Sequence, residues 1–159
     1  MTKIPIERAL EKIEWTTLFF FIGLFVMVGA LEATGAIEHV ADAMKSVTDG
    51  NRDAELVSII WTSSIIGGII DNIPLTTAMI PVVDQIKGDS GDNAYWWALS
   101  LGACFGGNLT MVSAAANVAA AGLADRAGQP ISFFGFMKIG LPVTLVSTFL
   151  ATAYILLRY

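Results

Sequence analysis

The sequence predicts an all-α membrane protein with about three spanning helices, one of them discontinuous, and a re-entrant helical hairpin. Three observations predict it. Hydrophobic residues make up 55% of the 159 residues and charged residues 14%, with positive mean hydropathy, which is the balance of a membrane protein. The run from Leu56 to Val83 carries one charge, Asp71, with Gly67-Gly68 before it and Pro74 and Pro81 after it. The run from Asn93 to Ala124 carries no charge and holds Gly106-Gly107-Asn108-Leu109-Thr110 at its middle.

The first element is a short amphipathic helix over Ile6–Ile13, with Ile6, Ala9, Leu10 and Ile13 at helical spacing. A span follows over 15–31, uncharged between Glu14 and Glu32; as helix it is about 25 Å long, enough to cross with little tilt. Trp15 suits an interfacial anchor. Residues 36–47 form an amphipathic helix with Ile37, Val40, Ala41, Met44 and Val47 on one face, and Asp49-Gly50-Asn51 is a turn.

Residues 56–83 are the re-entrant hairpin. An acid inside so apolar a run costs about 2.5–3.5 kcal/mol on insertion scales, so it marks a site. A helix ends near Ile70, a polar tip follows, and a new helix starts at Pro74, where proline in the first turn is tolerated. The halves are about 23 Å and about 15 Å long as helix, and neither comfortably crosses a hydrocarbon core of about 30 Å. The alternative is one kinked, tilted span. Non-helical backbone at that depth survives where protein buries it or water lines it.

Residues 94–124 form a discontinuous helix: Ala94 to Phe105, an unwound Gly106-Gly107-Asn108 stretch, then Ala114 to Ala124. Broken helices near the midplane are the site-forming device of secondary transporters. The glycine pairs at 67–68 and 106–107 allow close backbone approach and unusual dihedrals. Ile131 to Lys138, with Phe133, Phe134 and Phe136, suits a segment lying in the interface. The last span is 139–157, with Pro142 in its first turn. Lysines and arginines divide almost evenly between the two sides for either topology, so they do not orient the chain.

A net charge of −5 and the lack of a basic, aromatic-interleaved stripe exclude nucleic-acid binding. The single cysteine, Cys104, excludes an intrachain disulfide and gives no support to a thiolate metal cluster. The N-terminal charges are too mixed for a cleaved signal peptide.

Asp71-Asn72-Ile73-Pro74-Leu75-Thr76, Gly106-Gly107-Asn108-Leu109-Thr110 with Ser113-Ala114-Ala115-Ala116-Asn117-Val118, Glu14-Trp15, and Gln129-Pro130-Ile131-Ser132-Phe133-Phe134 together resemble the ion transporter superfamily. The look is of arsenite-permease-like and mammalian P-protein-like members, and the Asp-Asn-Ile-Pro element is shared with NhaD-type sodium–proton antiporters. The likeness runs from Glu14 onward. It implies one half, the C-terminal repeat, of an inverted-repeat transporter with an elevator-like motion. It also implies an inner-membrane location in a bacterium or archaeon, and either a first repeat or a second copy as partner, commonly in a dimer. In sodium-coupled dicarboxylate relatives the hairpin tip reads Ser-Asn-Thr; here Asn72 matches while Asp71 and Ile73 do not, which points away from dicarboxylates and toward ion or proton chemistry. By length the chain reads as a C-terminal portion of such a transporter.

The candidate substrate- and ion-binding residues are Asp71, Asn72, Thr76, Gly106, Gly107, Asn108, Ser113 and Asn117. A carboxamide offers an acceptor oxygen and two N–H donors, so Asn72 and Asn108 suit sodium through oxygen or an anion through N–H. Half-helix N-termini near Pro74 and Ala114 favour an anion, and free carbonyls near Ile70 and Phe105 suit a cation. The competing reading is that the asparagines cap and bridge helices. Asp71 is either the proton- or cation-handling group or a helix cap. Thr77, Thr110, Ser63 and Ser64 read as packing or capping hydroxyls. Cys104 lies beside the break and reads as a small core residue, although a thiol can touch arsenite.

The function expected is secondary transport of a small inorganic ion, coupled to protons or sodium, with no other cofactor and with membrane lipid as surroundings. An intramembrane hydrolase is disfavoured, since aspartyl chemistry needs two acids at one site and no Gly-x-Ser-x-Gly or His-Glu-x-x-His element occurs. A non-transporting truncated subunit is the remaining class.

Overall fold

A computed structural model describes residues 15–159, with side chains from Phe19 onward except Phe21. The expected helix at Ile6–Ile13 and the Trp15 side chain lie outside the described residues. Among the described residues the chain is all-helical: α1 (Trp15–Ala33), α2 (Ala36–Thr48), α3 (Arg52–Gly67), α4 (Asn72–Lys87), a 3-10 turn (Gly88–Ser90), α5 (Ala94–Gly106), α6 (Ala115–Arg126) and α7 (Phe133–Arg158).

The punctuation follows local chemistry. Gly35, at φ 73, turns α1 into α2, and the two axes meet at 67°. Asp49 and Gly50, both at positive φ, end α2. Asn51 caps α3 by accepting from the amides of Asp53 and Ala54 at 3.0 and 3.1 Å. Ser132 caps α7 by accepting from Gly135 N–H at 3.1 Å.

The Ser132 cap corrects two expectations. Ile131–Lys138 does not form a separate interfacial segment; from Phe133 on it is continuous with the last helix, and Pro142 lies inside that helix instead of in its first turn. A proline at position 142 suits a helix start, but the start is supplied ten residues earlier by Ser132. At 26 residues, α7 is about 39 Å long. It is the one helix among the described residues that alone is long and apolar enough to cross a membrane.

Helix directions follow from the contacts. Tyr95 Oη donates to Glu55 Oε2 at 2.5 Å, and Arg52 binds Asp92 at 2.7 Å, so α3 and α5 start side by side. They also end together, at Ser64 and Gly106. Gly67 lies against Leu75, while Lys45 Nζ, near the start of α3, donates to Gln85 O at 2.7 Å. α4 therefore returns antiparallel to α3, with residues 68–71 as the tip. α7 also runs antiparallel to α3: Gly140 abuts Asn108 and Leu109, Ser64 pairs with Thr148 at 2.8 Å, and Arg52 reaches Tyr159 O at 3.2 Å. The bundle has a charged base end and a tip end.

The core is the α3 face Leu56, Ile59, Ile60, Ser63, Ser64 and Gly67 against Ala94, Ala98, Gly102 and Gly106 of α5, all buried. Small residues at four-residue spacing let the backbones nearly touch. A Cβ at Gly102 would lie 2.5 Å from Ile60 O, and one at Gly106 2.5 Å from Ser64 O. The apolar surface left outside is large: Phe19, Phe20, Phe25 and Met27 on α1 and Val146, Phe149, Leu150 and Leu157 on α7 are exposed. Faces of that kind suit hydrocarbon.

Candidate functional site

The tip end assembles where two helices stop and a third begins. α3 stops at Gly67, α4 begins after Asp71, and α5 stops at Gly106; the backbone over 107–114 is non-helical until α6 begins. The glycines here serve close approach. A Cβ on Gly68 would run into the Leu109 side chain, and one on Gly140 would run into Asn108 O and Leu109 O. Their dihedrals are ordinary: Gly68 has φ −75 and ψ −15, and Gly107 has φ −57 and ψ −11. The unusual dihedrals expected of these pairs are absent, and left-handed glycines occur instead in the connecting turns.

Asp71 is the N-cap of α4. Its Oδ1 accepts from Ile73 N–H at 2.9 Å, and Pro74 falls in the first turn, where its missing N–H leaves no gap. A cap of this kind predicts a simple split. Asp71→Asn, which still caps, should keep its thermal midpoint, whereas Asp71→Ala should lose about 1 kcal/mol. Equal midpoints in scanning fluorimetry would remove the cap from the account of the tip.

Asn72 sits one residue further in. Its side-chain amide presses on Gly107, where a Cβ would lie 2.7 Å from Nδ2 and 3.2 Å from Oδ1. Asn72 Oδ1 is buried and has no hydrogen-bond partner. Thr76, one turn along α4, joins Asn72 in lining a cavity of about 240 Å³ with Ser100 and Cys104 of α5. Cys104 is exposed, which corrects its reading as a buried core residue.

Asn108 opens elsewhere. It lines a cavity of about 320 Å³ formed with Ile131, Phe136, Ile139, Gly140 and Val143. Asn72 and Asn108 therefore border different cavities, with the Gly107 backbone against the Asn72 amide. Ser113 and Asn117 brace the unwound stretch from the far side. Ser113 Oγ is 2.8 Å from Gly107 O and 2.7 Å from Thr110 O, and its single proton serves one of them at a time. Asn117 Nδ2 donates to the same two oxygens at 2.8 and 3.1 Å, which uses both amide protons and leaves the carboxamide oxygen as its remaining polar end.

The carbonyl expected to be free at Phe105 is taken: it accepts from Asn108 N–H at 3.1 Å and from Thr144 Oγ1 at 3.3 Å. Thr77 spends its hydroxyl on Ile73 O at 2.8 Å, as a packing hydroxyl would. Two hydroxyls read from sequence as ordinary packing groups are not satisfied: Ser63 Oγ and Thr110 Oγ1 are buried without partners. The sequence also gave no reason to single out Glu55, which is 8% exposed.

At the base end, Asp92 is held below the ordinary carboxylate range, first by the Ala94 N–H it accepts from and then by Arg52, with burial opposing. Arg52 is raised mainly by the same pair.

A helical membrane protein whose helices break around half-buried carboxamides belongs with the transporters as a class, and sequence comparison gives the family. The chain belongs to the citrate transporter family (CitMHS), whose profile matches residues 1–102. That stretch contains Asp71, Asn72 and Thr76 and stops short of Gly106. An uncharacterised transporter of Mycobacterium tuberculosis (strain CDC 1551 / Oshkosh) is 47% identical over 160 residues, covering 97% of this chain and 37% of the relative. A 46 kDa membrane protein of Mycobacterium leprae is 42% identical over 163 residues, covering 100% and 38%. The P protein of Homo sapiens is 37% identical over 162 residues, covering 96% and 19%. The chain thus spans well under half the length of the curated relatives it matches. No solved structure matches.

Proposed function

We propose that this chain is an ion-site-bearing part of a secondary active transporter that moves a small inorganic ion, coupled to protons or sodium. The observation that carries the reading is Asn72 Oδ1, a buried acceptor with no partner, placed against the Gly107 backbone where α3 and α5 stop and α4 begins. A buried polar atom without a partner is costly, and a bound ion is what removes that cost. Asn72, Thr76, Gly106, Gly107 and Asn108 form the ion path in this reading, sodium binds through the carboxamide oxygen of Asn72, Asn108 offers a second carboxamide in the neighbouring cavity, and Ser113 and Asn117 hold the unwound backbone in shape. Asp71 orients the start of α4 and faces the same region.

The family description favours a second reading of the cargo, citrate, and the same site would bind its carboxylates through N–H donors. Uptake into proteoliposomes tests both. Sodium, arsenite and citrate are supplied in turn under imposed proton or sodium gradients. Gradient-driven accumulation of an inorganic ion supports the first reading, that of citrate alone supports the second, and accumulation of none of them overturns transport by this chain alone.

In this proposal α3 and α4 enter and leave on one face of the membrane. The α3 helix is 16 residues long, about 24 Å, while α7 continues past the tip level at Gly140 to Phe133. The bilayer is a bacterial or archaeal inner membrane, and a complementary repeat or a second copy completes the site in a dimer. Single cysteines at positions 53 and 87, in a Cys104→Ser background, are expected to react with an impermeant maleimide from the same side. Reaction from opposite sides would replace the hairpin by a kinked span.

A further inference from the structure

Glu55 is the one charged residue among the described residues that is buried, at 8% exposure. A buried acid in a membrane bundle calls for a function unless a cation neutralises it. Among the described residues no cation does so. Arg52, one turn earlier, is engaged by Asp92 and Asp53 at 2.7 and 3.3 Å and reaches Tyr159 O. On α2, Lys45 is spent on Gln85 O, and on α4, Lys87 reaches Gly88 O. On α7, Arg158 lies over the Tyr159 ring at 5.8 Å. The remaining acids at this end, Asp49, Asp53, Asp84 and Asp89, are exposed. The partner Glu55 does have is the Tyr95 hydroxyl, at 2.5 Å, with Tyr95 itself 5% exposed.

We propose that Glu55, paired with Tyr95 between α3 and α5, is a proton-binding site that couples proton movement to the transport cycle. The choice of partner carries the argument. A lysine or arginine would lock the carboxylate in its ionised form. A phenol hydroxyl both donates and accepts. It donates to the carboxylate when Glu55 is ionised. It accepts from the carboxylic acid, or donates to its carbonyl oxygen, when Glu55 holds a proton. The pair therefore stays bonded in both states, and the step is the gain or loss of one proton at a Glu55 oxygen. A metal ion fits poorly, because no cluster of three His, Cys, Asp or Glu side chains exists among the described residues. The site stands apart from the tip: Glu55 lies at the start of α3, and Gly67, beneath Asn72, ends the same helix. One rigid element thus carries the proton site and one wall of the ion site.

The coupling role rests on the transporter reading; proton binding itself does not, and two measurements separate them. The first needs no substrate. In infrared difference spectra of the full chain in lipid, between acid and neutral pH, the carboxylic-acid C=O region should lose one component in Glu55→Gln, and that component should shift in Tyr95→Phe. A C=O region that Glu55→Gln leaves unchanged overturns the proposal. If Glu55→Gln does not fold, Tyr95→Phe decides alone, since an unshifted band overturns the pair. The second measurement uses radiolabelled sodium and, in parallel, radiolabelled citrate in proteoliposomes. For whichever of them the wild type accumulates, Glu55→Gln should lose the response of net uptake to an imposed pH gradient. A retained response overturns the coupling role. Absent wild-type uptake of both overturns coupled transport by this chain, while the infrared result decides the proton site.

Discussion

Gly106→Ala is expected to lower the thermal midpoint sharply and to lose ion binding with it. The added Cβ would sit 2.5 Å from Ser64 O, 3.0 Å from Ser64 Cα and 3.1 Å from Ser64 C. All three are backbone atoms of a neighbouring helix, so no rotamer change relieves the contact. Overpacking of this kind costs about 1–3 kcal/mol. Its consequence reaches further, because prising α3 from α5 at this level moves Gly67 and Gly107, the two walls against Asn72. Gly102→Ala meets Ile60 O at 2.5 Å and should destabilise by a similar amount. The double variant should fall short of the sum, since the first substitution already opens the interface the second one strains. Gly122→Ala is the control. Nothing lies within 4 Å of a Cβ there, and α6 should gain up to about 1 kcal/mol of helix propensity. Scanning fluorimetry in detergent reads all four variants. A Gly106→Ala midpoint equal to wild type would mean that the α3–α5 contact is looser than the geometry requires.

How much of this was legible beforehand depends on whether the signal is local. The break after Gly106 and the restart at α6 were readable, because a long uncharged run holding Gly-Gly-Asn has few other ways to fold. The amphipathic stretch at α2 was readable in part from its spacing: Ile37 and Ala41 of the expected apolar face are buried, while Val40 and Val47 are exposed. The start of α7 was misplaced because Pro142 is a louder signal than Ser132. The function of the glycines was half legible. Their presence implied close approach or special dihedrals, and the structure uses the first and not the second at Gly68, Gly106, Gly107 and Gly140. Burial of Glu55 was not legible at all. In sequence it follows Arg52 and Asp53 and looks like one more charge in a polar connection. Only the pairing of α3 with α5 brings Tyr95 over it. The split of Asn72 and Asn108 between two cavities is likewise a tertiary fact, since each sits next to a helix end and nothing local says which way that end turns.

Asn72→Ala is expected to separate stability from function. Most truncations of a buried polar side chain break a hydrogen bond and lower stability. Asn72 Oδ1 makes none, so removing it takes away an unsatisfied buried acceptor instead of orphaning a partner. The thermal midpoint of Asn72→Ala should therefore match or exceed that of the wild type in ion-free buffer. Ion affinity should move the other way. A hydrogen bond or ligand contact to a charged group contributes about 1.5–3 kcal/mol, so the apparent affinity should fall roughly 10- to 150-fold. The ion-induced rise in midpoint should shrink with it, because stabilisation by a ligand follows its occupancy of the folded state. Asn117→Ala gives the contrast. Its amide already donates to Gly107 O and Thr110 O, so that variant should lose stability first and affinity only as the unwound stretch loosens. Midpoints measured with and without sodium, for both variants, decide the matter. A destabilised Asn72→Ala that keeps its full sodium response would show the carboxamide to be a packing group and remove it from the ion site.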